Sequence, residues 1–417
     1  MTGLRAGTRN WGGNVTFGAR RLLRPRSVEE LSGMVAGADR IRALGTAHSF
    51  SRVADTTGDL VTLADLPRRV EIGPDTVTVS AGTRFGEVTG PLQDAGRALH
   101  NLGSLPHISI AGACATGTHG SGDGNPCLAA AVTAVELVTG TGDLVTLRRG
   151  EADFPGSVIA LGRLGVVAAL TLRTQPTYDI QQVVYDDLAP DAIEDLDGVF
   201  GSAYSVSLFT RYTRPGMDMA WVKRRVDPAA PWQPPSTWLG GTRAPEQRHP
   251  VPGERGDECT PQDGLPGPWQ TRLPHFRLEF TPSKGEEIQS EFFVPREHGV
   301  AAVRAVQAIG PRIAPLLLIG EIRTVAADDL WASLAYGRDS VALHFTWVRD
   351  PAGVEEAVGH VEAALRPFGP RPHWGKVFTM PPEEVRAGWD RLGDLRRLAE
   401  RYDPAGVFAN DFTDRYL

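Results

Sequence analysis

The chain has 417 residues, and at about 150 residues per domain this length predicts two or three domains. Apolar residues make up 41% and charged residues 22% of the chain, a globular balance that excludes a disordered protein. The formal net charge of −7 offers no cationic surface to phosphates or anionic lipids, so we expect neither nucleic acid nor membrane as a partner.

The N-terminal sequence carries no recognisable export signal. The first 25 residues hold five arginines but no apolar run of the roughly 7–15 residues that a signal peptide requires. The longest apolar stretches, such as Val166 to Leu170, are far shorter than the ~20 residues that span a bilayer. Cys114, Cys127 and Cys259 are widely spaced, which indicates neither a zinc site nor a disulfide framework. We therefore expect a cytoplasmic protein without a metal.

The first hundred residues alternate helix and strand signals. Ser27 and Glu30 form a capping-box pattern that predicts a helix to about Gly37. Residues 41–44 predict a buried strand that runs into the small residues 45–49. Alternating valines around residues 73–75 indicate a hairpin, and Phe85, Val88 and Leu92 predict a second helix.

Between residues 102 and 124 bulky side chains almost vanish from the sequence LGSLPHISIAGACATGTHGSGDG. Small residues allow the backbone to approach a ligand closely. A second hairpin follows, with strands at 132–138 and 144–147, and a further strand is predicted at 166–173. These features predict a first domain over residues 1–177 that mixes helix and strand.

Beyond Pro176 the pattern changes to longer strands and a proline-rich connection, which we expect to be a surface loop, at residues 227–274. Strands are predicted at 204–211, 219–225, 287–294, 316–325 and 341–348, and helices near 296–309 and 354–365. Residues 178–377 thus read as an α+β cap. A helical stretch at 382–402 leads to a tail, residues 378–417, that we expect to return to the first domain.

The sequence contains neither GxGxxG nor a Walker loop, which disfavours nicotinamide and ATP chemistry. The two glycine-rich segments, RALGTAHSF and SLPHISIAGACATGTHGSG, still suit an anion, because consecutive backbone N–H groups form concave binding sites. Together with GRLGVV, PHWGK and the terminal DPAGVF they resemble the vanillyl-alcohol oxidase superfamily over nearly the whole chain. The resemblance is strongest to its alditol oxidase branch, beside the sugar-1,4-lactone oxidases.

This resemblance implies the α+β, two-domain FAD-binding fold of that superfamily (the PCMH type), with a substrate-binding cap. It implies that FAD is attached covalently to His48. Ala47 stands where the family usually has glycine, which weakens the match of the loop and not the linkage. The other expected FAD contacts are Leu44, Gly45, Thr46, Ala47, Ser49, Ser104, Ser109, Gly112, Thr116, Gly117, Thr118, His119 and Val166.

The substrate side is visible in two predicted strands, because residues i and i+2 share one face of a strand. One strand presents Glu321 and Arg323 after an apolar row, and the other presents His344 and Thr346. Each pair alone is typical of a solvated sheet face, but two such strands favour a polar wall. The resemblance places these four around the substrate, with Ser104 and Lys376 completing the pocket.

A polar wall suits a polyol, because each hydroxyl needs a hydrogen-bond partner. The implied reaction passes a hydride from the terminal carbinol to FAD, with dioxygen as acceptor and an aldose and hydrogen peroxide as products. Lys376, Arg323 and His344 are the predicted catalytic residues, and burial of Lys376 would let it take the hydroxyl proton. Glu321, Arg323, Thr346, Ser104 and Lys376 are predicted to bind the substrate. We expect a monomer with no obligatory protein partner.

Three other functions fit parts of the pattern. A sugar-1,4-lactone or hexose oxidase would keep His48 and both loops but bind a ring. A dehydrogenase would exclude oxygen, and a carbohydrate-binding protein would keep the cap without flavin. The sequence does not rank xylitol, sorbitol, mannitol or glycerol as substrates.

Overall fold

The computed structural model describes residues 8–280 and 285–417. Residues 1–7 of the predicted first domain and 281–284 of the predicted cap lie outside the described residues. The described chain forms α-helices, α1 to α11, and β-strands, β1 to β20, arranged in four sheets. This mixed content confirms the α+β class.

The N-terminal region contains a small parallel sheet, a two-stranded pair and a five-stranded antiparallel sheet of order β4-β5-β9-β7-β8. Both predicted hairpins are present, since Val70 pairs with Val79 and Val138 with Leu144. Its elements are β1 Arg21–Leu23, α1 Val28–Ala36, β2 Ile41–Ala43, β3 Asp59–Val61, β4 Val70–Ile72, β5 Thr76–Ser80, α2 Phe85–Asp94, β6 Arg97–Ala98, α3 Ile110–Thr116, β7 Val132–Val138, β8 Leu144–Arg148, α4 Phe154–Ser157, β9 Val166–Arg173 and β10 Gln175–Pro176.

Helix α1 illustrates how local sequence starts and orients an element. The Oγ of Ser27 accepts a hydrogen bond from the backbone N–H of Glu30 at 3.1 Å, which caps the first turn. Leu31 and Val35, four residues apart, are fully buried against Ile41 and Phe408. The helix therefore packs its apolar stripe onto β2 and the C-terminal tail.

The second region is built on a ten-stranded sheet, here called the cap sheet, of order β14-β15-β11-β13-β12-β18-β19-β17-β20 with β16 beside β11. Helices α6 and α8 pack against it. Its elements are β11 Asp179–Asp186, α5 Leu196–Gly201, β12 Ser205–Thr210, β13 Met219–Arg225, β14 Thr237–Trp238, β15 Gly241–Arg243, β16 Gly267–Pro268, β17 Glu287–Pro295, α6 Gly299–Ala308, α7 Gly310–Ile313, β18 Leu317–Val325, β19 Ser340–Val348, α8 Pro351–Leu365 and β20 Arg371–Pro372.

The proline-rich connection differs from the predicted surface loop. Within it Trp269 and Cys259 are fully buried, and β15 and β16 pair with β11. Gln182 and Lys223 explain the difference, because these buried side chains of the cap sheet donate hydrogen bonds to carbonyls of the connection. Part of the connection is thus a second layer over the sheet.

The C-terminal segment forms α9 Pro382–Ala387, α10 Leu392–Tyr402 and α11 Asp411–Tyr416. The single helical stretch predicted over 382–402 is therefore two helices. The tail lies against the N-terminal region, where Ile41 N–H donates to the Val407 carbonyl and the Arg42 guanidinium to the Phe408 carbonyl, both at 2.8 Å. The N-terminal and C-terminal parts of the chain, distant in sequence, therefore pack against each other.

Candidate active site

One large cavity lies between the N-terminal region and the cap sheet. Its volume is about 600 Å³, within the range of roughly 300–1,000 Å³ that is usual for small-molecule sites. Residues 42–51 and parts of 104–119 line one side. Side chains of β17, β18 and β19 line the other. The two halves predicted from the sequence therefore face the same space.

The turn after β2, residues 44–49, is shaped by close packing. A Cβ added at Gly45 would lie 2.5 Å from the Oγ of Ser109, so glycine lets the two glycine-rich segments touch. Ala47 has φ +58, a left-handed conformation that costs a non-glycine residue energy. The tolerated strain indicates that the surroundings hold this turn firmly.

His48 projects from that turn into the cavity lining. Trp11 stacks on its imidazole with ring centroids 5.2 Å apart, and the backbone N–H of Trp11 donates to the Ala47 carbonyl at 2.8 Å. Burial lowers the pKa of His48 to about 4, so the ring is neutral and nucleophilic at physiological pH. Its buried Nδ1 atom has no hydrogen-bond partner within the described residues.

The second glycine-rich segment contains α3 and packs against the His48 turn. The Ser109 N–H lies 3.4 Å from the Thr46 hydroxyl. Every FAD contact implied by the resemblance lines the cavity except Gly117 and Val166. Gly117 ends α3 with φ +77 and faces Leu334, and Val166 is a core residue of β9.

This half of the cavity fits FAD on its own geometry. Its surface is mostly small side chains and backbone, which suits the close approach of a pyrophosphate. The orphaned, buried imidazole nitrogen of His48 suits attachment to a flavin methyl group, since a buried nitrogen without a partner is costly. Residues 44–49 and 104–119 would hold the group.

The cap sheet contributes a polar wall made from adjacent strands. Strand register places Glu321 of β18, His344 of β19 and Glu291 of β17 side by side in one row. The next row contains Ile319, Thr346 and Gln289. The predicted pairing of two polar strands is correct, and a third strand extends it.

Glu321 and Arg323 form a buried pair with their side chains only 6% exposed. Burial opposes ionisation of Glu321, but Arg323 and His275 outweigh it, so the pKa of Glu321 lies far below its ordinary value. His275 lies 2.9 Å from Glu321 through Nε2, and burial lowers the pKa of His275 to about 4. Glu321 and Arg323 therefore do not form a solvated surface pair, because both side chains are buried.

Glu291 connects the cationic groups of the wall and has a fully buried side chain. Lys376 Nζ donates to its Oε2 at 2.7 Å, and Arg323 Nη2 donates to its Oε1 at 2.6 Å. Burial opposes its ionisation, but Lys376, Arg323 and His119 together hold the pKa of Glu291 well below its ordinary value. The carboxylate is therefore charged and shared by two cations.

His344 completes this network as a neutral side chain. Burial, reinforced by Lys376, holds its pKa well below the ordinary value. Lys376 Nζ lies 2.7 Å from His344 Nδ1, which accepts, and the Nε2 of His344 donates to the Thr346 hydroxyl at 3.1 Å. Burial lowers the pKa of Lys376, and Glu291 partly counteracts that effect.

Residues 373–376 tie this wall to the His48 turn. The Gly375 carbonyl accepts from the Phe50 N–H at 2.7 Å, and the Trp374 carbonyl accepts from Ser51 Oγ at 2.6 Å. The His373 N–H donates to the backbone carbonyl of Glu291 at 2.9 Å. The PHWGK motif thus bridges the two halves of the cavity and delivers Lys376 between them.

Sequence reasoning missed Glu291, Gln289 and His275, and it gave Trp11 no role. The first two share a face with Glu287 in the stretch EIQSEFF, where period-two alternation was available as a signal. His275 lies in the proline-rich connection, where no periodicity marks it. Ser104 lines the cavity as predicted and accepts a hydrogen bond at its carbonyl from Phe276 N–H at 3.2 Å.

His119, Glu291 and His373 have the spacing of a metal site among the described residues. His119 Nε2 lies 3.2 Å from Glu291 Oε1 without hydrogen-bond geometry. The same carboxylate already accepts bonds from Lys376 and Arg323, whose two positive charges oppose a divalent cation. The cluster is better described as part of the polar wall.

Comparison with known proteins agrees with both halves of the cavity. Residues 19–148 match the FAD binding domain family, and residues 282–416 match the D-arabinono-1,4-lactone oxidase family. The chain is 46% identical to an alditol oxidase of a Streptomyces species, over 97% of each sequence. It is 30% identical to an L-gulono-1,4-lactone dehydrogenase of Mycobacterium tuberculosis, over 98% of each.

Among solved structures, cholesterol oxidase from B. sterolicum shares the fold. The TM-score is 0.77 with 16% sequence identity, covering 100% of this chain and 97% of that chain. Its His121Ala mutant superposes with a TM-score of 0.78. At this identity the likeness shows the fold alone. In the described residues, none of the helices has both the length and the apolar character needed to cross a bilayer.

Proposed function

This chain belongs to the alditol oxidase branch of the vanillyl-alcohol oxidase superfamily, and from that premise we propose that it oxidises the terminal hydroxyl of a small alditol to the aldose. The observation that carries the proposal is the buried polar wall of β17, β18 and β19 facing the same cavity as His48. FAD held through His48 would supply the hydride acceptor for the carbinol carbon, and dioxygen would then take up the electrons as hydrogen peroxide.

The wall matches an open-chain polyol in its hydrogen-bonding groups. Glu321 offers acceptors, Arg323 and Lys376 offer donors, and the Thr346 and Ser104 hydroxyls offer both. A buried site of this kind rejects analogues that lack a hydroxyl, because the protein groups would then stay unpaired. Alditols such as xylitol and sorbitol are therefore the proposed substrates.

The proton of the reacting hydroxyl needs an acceptor. Lys376 Nζ, bonded to Glu291 and His344, keeps one further N–H direction for the substrate oxygen. In the proposed step Lys376 Nζ first passes a proton to His344 Nδ1, and the neutral amine that results then takes the hydroxyl proton as the O–H bond breaks. His344 is neutral before the step, and the neighbouring carboxylates of Glu321 and Glu291 stabilise its cation afterwards.

A spectrum of the purified protein before and after acid precipitation tests the cofactor, and xylitol added without air tests the substrate. Yellow colour that stays in the pellet and bleaches with xylitol supports both proposals. Colour that moves entirely to the supernatant rejects the bond to His48. The variant His48→Ala is the control, and its pellet should be colourless.

A lactone oxidase or dehydrogenase is the second candidate, because the C-terminal third matches the D-arabinono-1,4-lactone oxidase family. L-gulono-1,4-lactone should then bleach the protein where xylitol does not. Peroxide yield in air separates the two acceptor classes, since a dehydrogenase releases none.

We further propose a monomer that works in the cytoplasm without an obligatory partner. The free cysteines Cys114, Cys127 and Cys259 are all buried, which suits a reducing compartment. Light scattering behind a gel-filtration column measures the mass, and a value of twice 44.9 kDa would reject the monomer.

A further inference from the structure

Glu291 occupies the centre of the site, and the steps above use it only as a nearby negative charge. Its two oxygens are divided between two cations: Oε2 accepts from Lys376 and Oε1 accepts from Arg323. Its side chain is completely buried, so bulk water does not screen its charge. A charged carboxylate in such surroundings holds its partners in one geometry, because moving either partner leaves a buried charge unpaired.

The charges of the wall balance only if Glu291 is counted. Arg323 and Lys376 supply two positive charges, and Glu321 supplies one negative charge. Glu291 supplies the second negative charge, and the histidines around it are neutral. The titratable and charged groups that face it from all packed elements are Arg323 and Glu321 on β18, His344 on β19, His119 on the second glycine-rich segment, and His373 and Lys376 after β20.

We propose that Glu291 is a positioning residue for the oxidation: it fixes Lys376 Nζ and the Arg323 guanidinium at the reacting hydroxyl and supplies the negative charge that lets the Lys376 and His344 pair carry the substrate proton. The inference rests on the proposed polyol oxidation. Glu291 acts through its two cationic partners, because each of its oxygens accepts a hydrogen bond from one of them.

The isosteric variant Glu291→Gln tests this role in the flavin-loaded protein. An amide keeps the size but removes the charge, so the cationic form of the Lys376 and His344 pair is less stable. The acidic limb of the kcat/KM profile for xylitol should move to lower pH by about one unit or more. The kcat should fall by about 100-fold, with a smaller change in KM, because the groups that touch the substrate remain.

Two further variants separate charge from structure. Glu291→Asp keeps the charge on a shorter side chain, so its acidic limb should stay near the wild-type pH while kcat falls. Glu362→Gln is the matched control, since Glu362 is also a buried carboxylate but bonds Thr379 and Met380 away from the cavity. It should lower the melting temperature and leave the pH profile unchanged.

The outcomes distinguish this inference from the proposed function. If xylitol does not bleach the wild-type protein, polyol oxidation fails first. If the wild type is active and Glu291→Gln keeps the wild-type acidic limb with normal flavin absorbance, the positioning role is wrong. If Glu291→Gln does not fold, a displaced acidic limb in Glu291→Asp would equally overturn the role, because that variant retains the charge.

Discussion

The two halves of the cavity are built by different means. The His48 half uses consecutive residues, small side chains and backbone contacts, such as Gly45 against Ser109. The cap half uses large charged side chains, such as Arg323 and Glu291, from strands and segments far apart in the chain. In the His48 half, small side chains let chain segments approach closely. In the cap half, the buried charges balance one another.

This difference predicts how each half fails. Removing a charge from the cap leaves its partner buried without compensation, and the cost is several kcal/mol. Changing a residue in the His48 half alters local strain or stacking, which costs about 1 kcal/mol. Four substitutions measure the contrast, in order of decreasing effect.

The largest effect is expected for Arg323→Met, which leaves Glu321 and Glu291 short of a cation. The free energy of unfolding should fall by about 3–5 kcal/mol, and kcat/KM for xylitol should fall by about 1,000-fold. Urea unfolding and steady-state turnover measure these changes. Arg304→Met is the control, because Arg304 pairs with Glu194 at the surface and should contribute no more than about 1 kcal/mol. If both variants lost the same unfolding free energy, the expected difference between buried and exposed charges would be wrong.

The next effect concerns Lys223, a fully buried amine of the cap sheet whose Nζ donates to the Leu273 carbonyl. Burial lowers its pKa to about 7 from an unfolded value of 10.5. Between these values the unfolded chain binds the additional proton, so stability rises with pH by up to about 1.4 kcal/mol per unit. Lys223→Met should lose this slope between pH 7 and pH 9. Parallel unfolding free energies for wild type and variant would contradict the assignment.

A smaller effect is expected for Trp11→Ala in the His48 half. Loss of the stacked indole removes about 0.5–1.5 kcal/mol and frees the imidazole orientation, so a smaller fraction of the flavin should remain in the acid pellet. Trp11→Phe keeps an aromatic face and should retain most of the covalent fraction. Full retention in Trp11→Ala would show that the stack is dispensable for attachment.

The smallest effect has the opposite sign. Ala47→Gly relieves a left-handed conformation worth about 1–2 kcal/mol at an entropic cost of about 0.5–1 kcal/mol. The net gain of about 0.5 kcal/mol should raise the melting temperature by about 1–2 °C. Ala301→Gly is the matched control in the exposed interior of α6, and it should lower stability by about 1 kcal/mol.

Local sequence patterns predicted most elements of the fold. The cap at Ser27 and the alternating valines of β4 and β5 act within a few residues, so their outcome depends little on distant structure. The proline-rich connection was the exception. Its buried Trp269 and Cys259 are held by side chains of β11 and β13, which no local pattern records.

The site divides in the same way. The sequence by itself determined the His48 half and the polar faces of β18 and β19, because contiguous motifs and period-two alternation carry that information. Only the tertiary structure decided that Glu291, His275 and residues 373–376 meet these strands, since strand order and loop packing bring together residues such as Glu291 and Lys376, which lie 85 positions apart. The charge balance of a buried site depends on all of its neighbours at once, and for that reason it follows from packing and not from a motif.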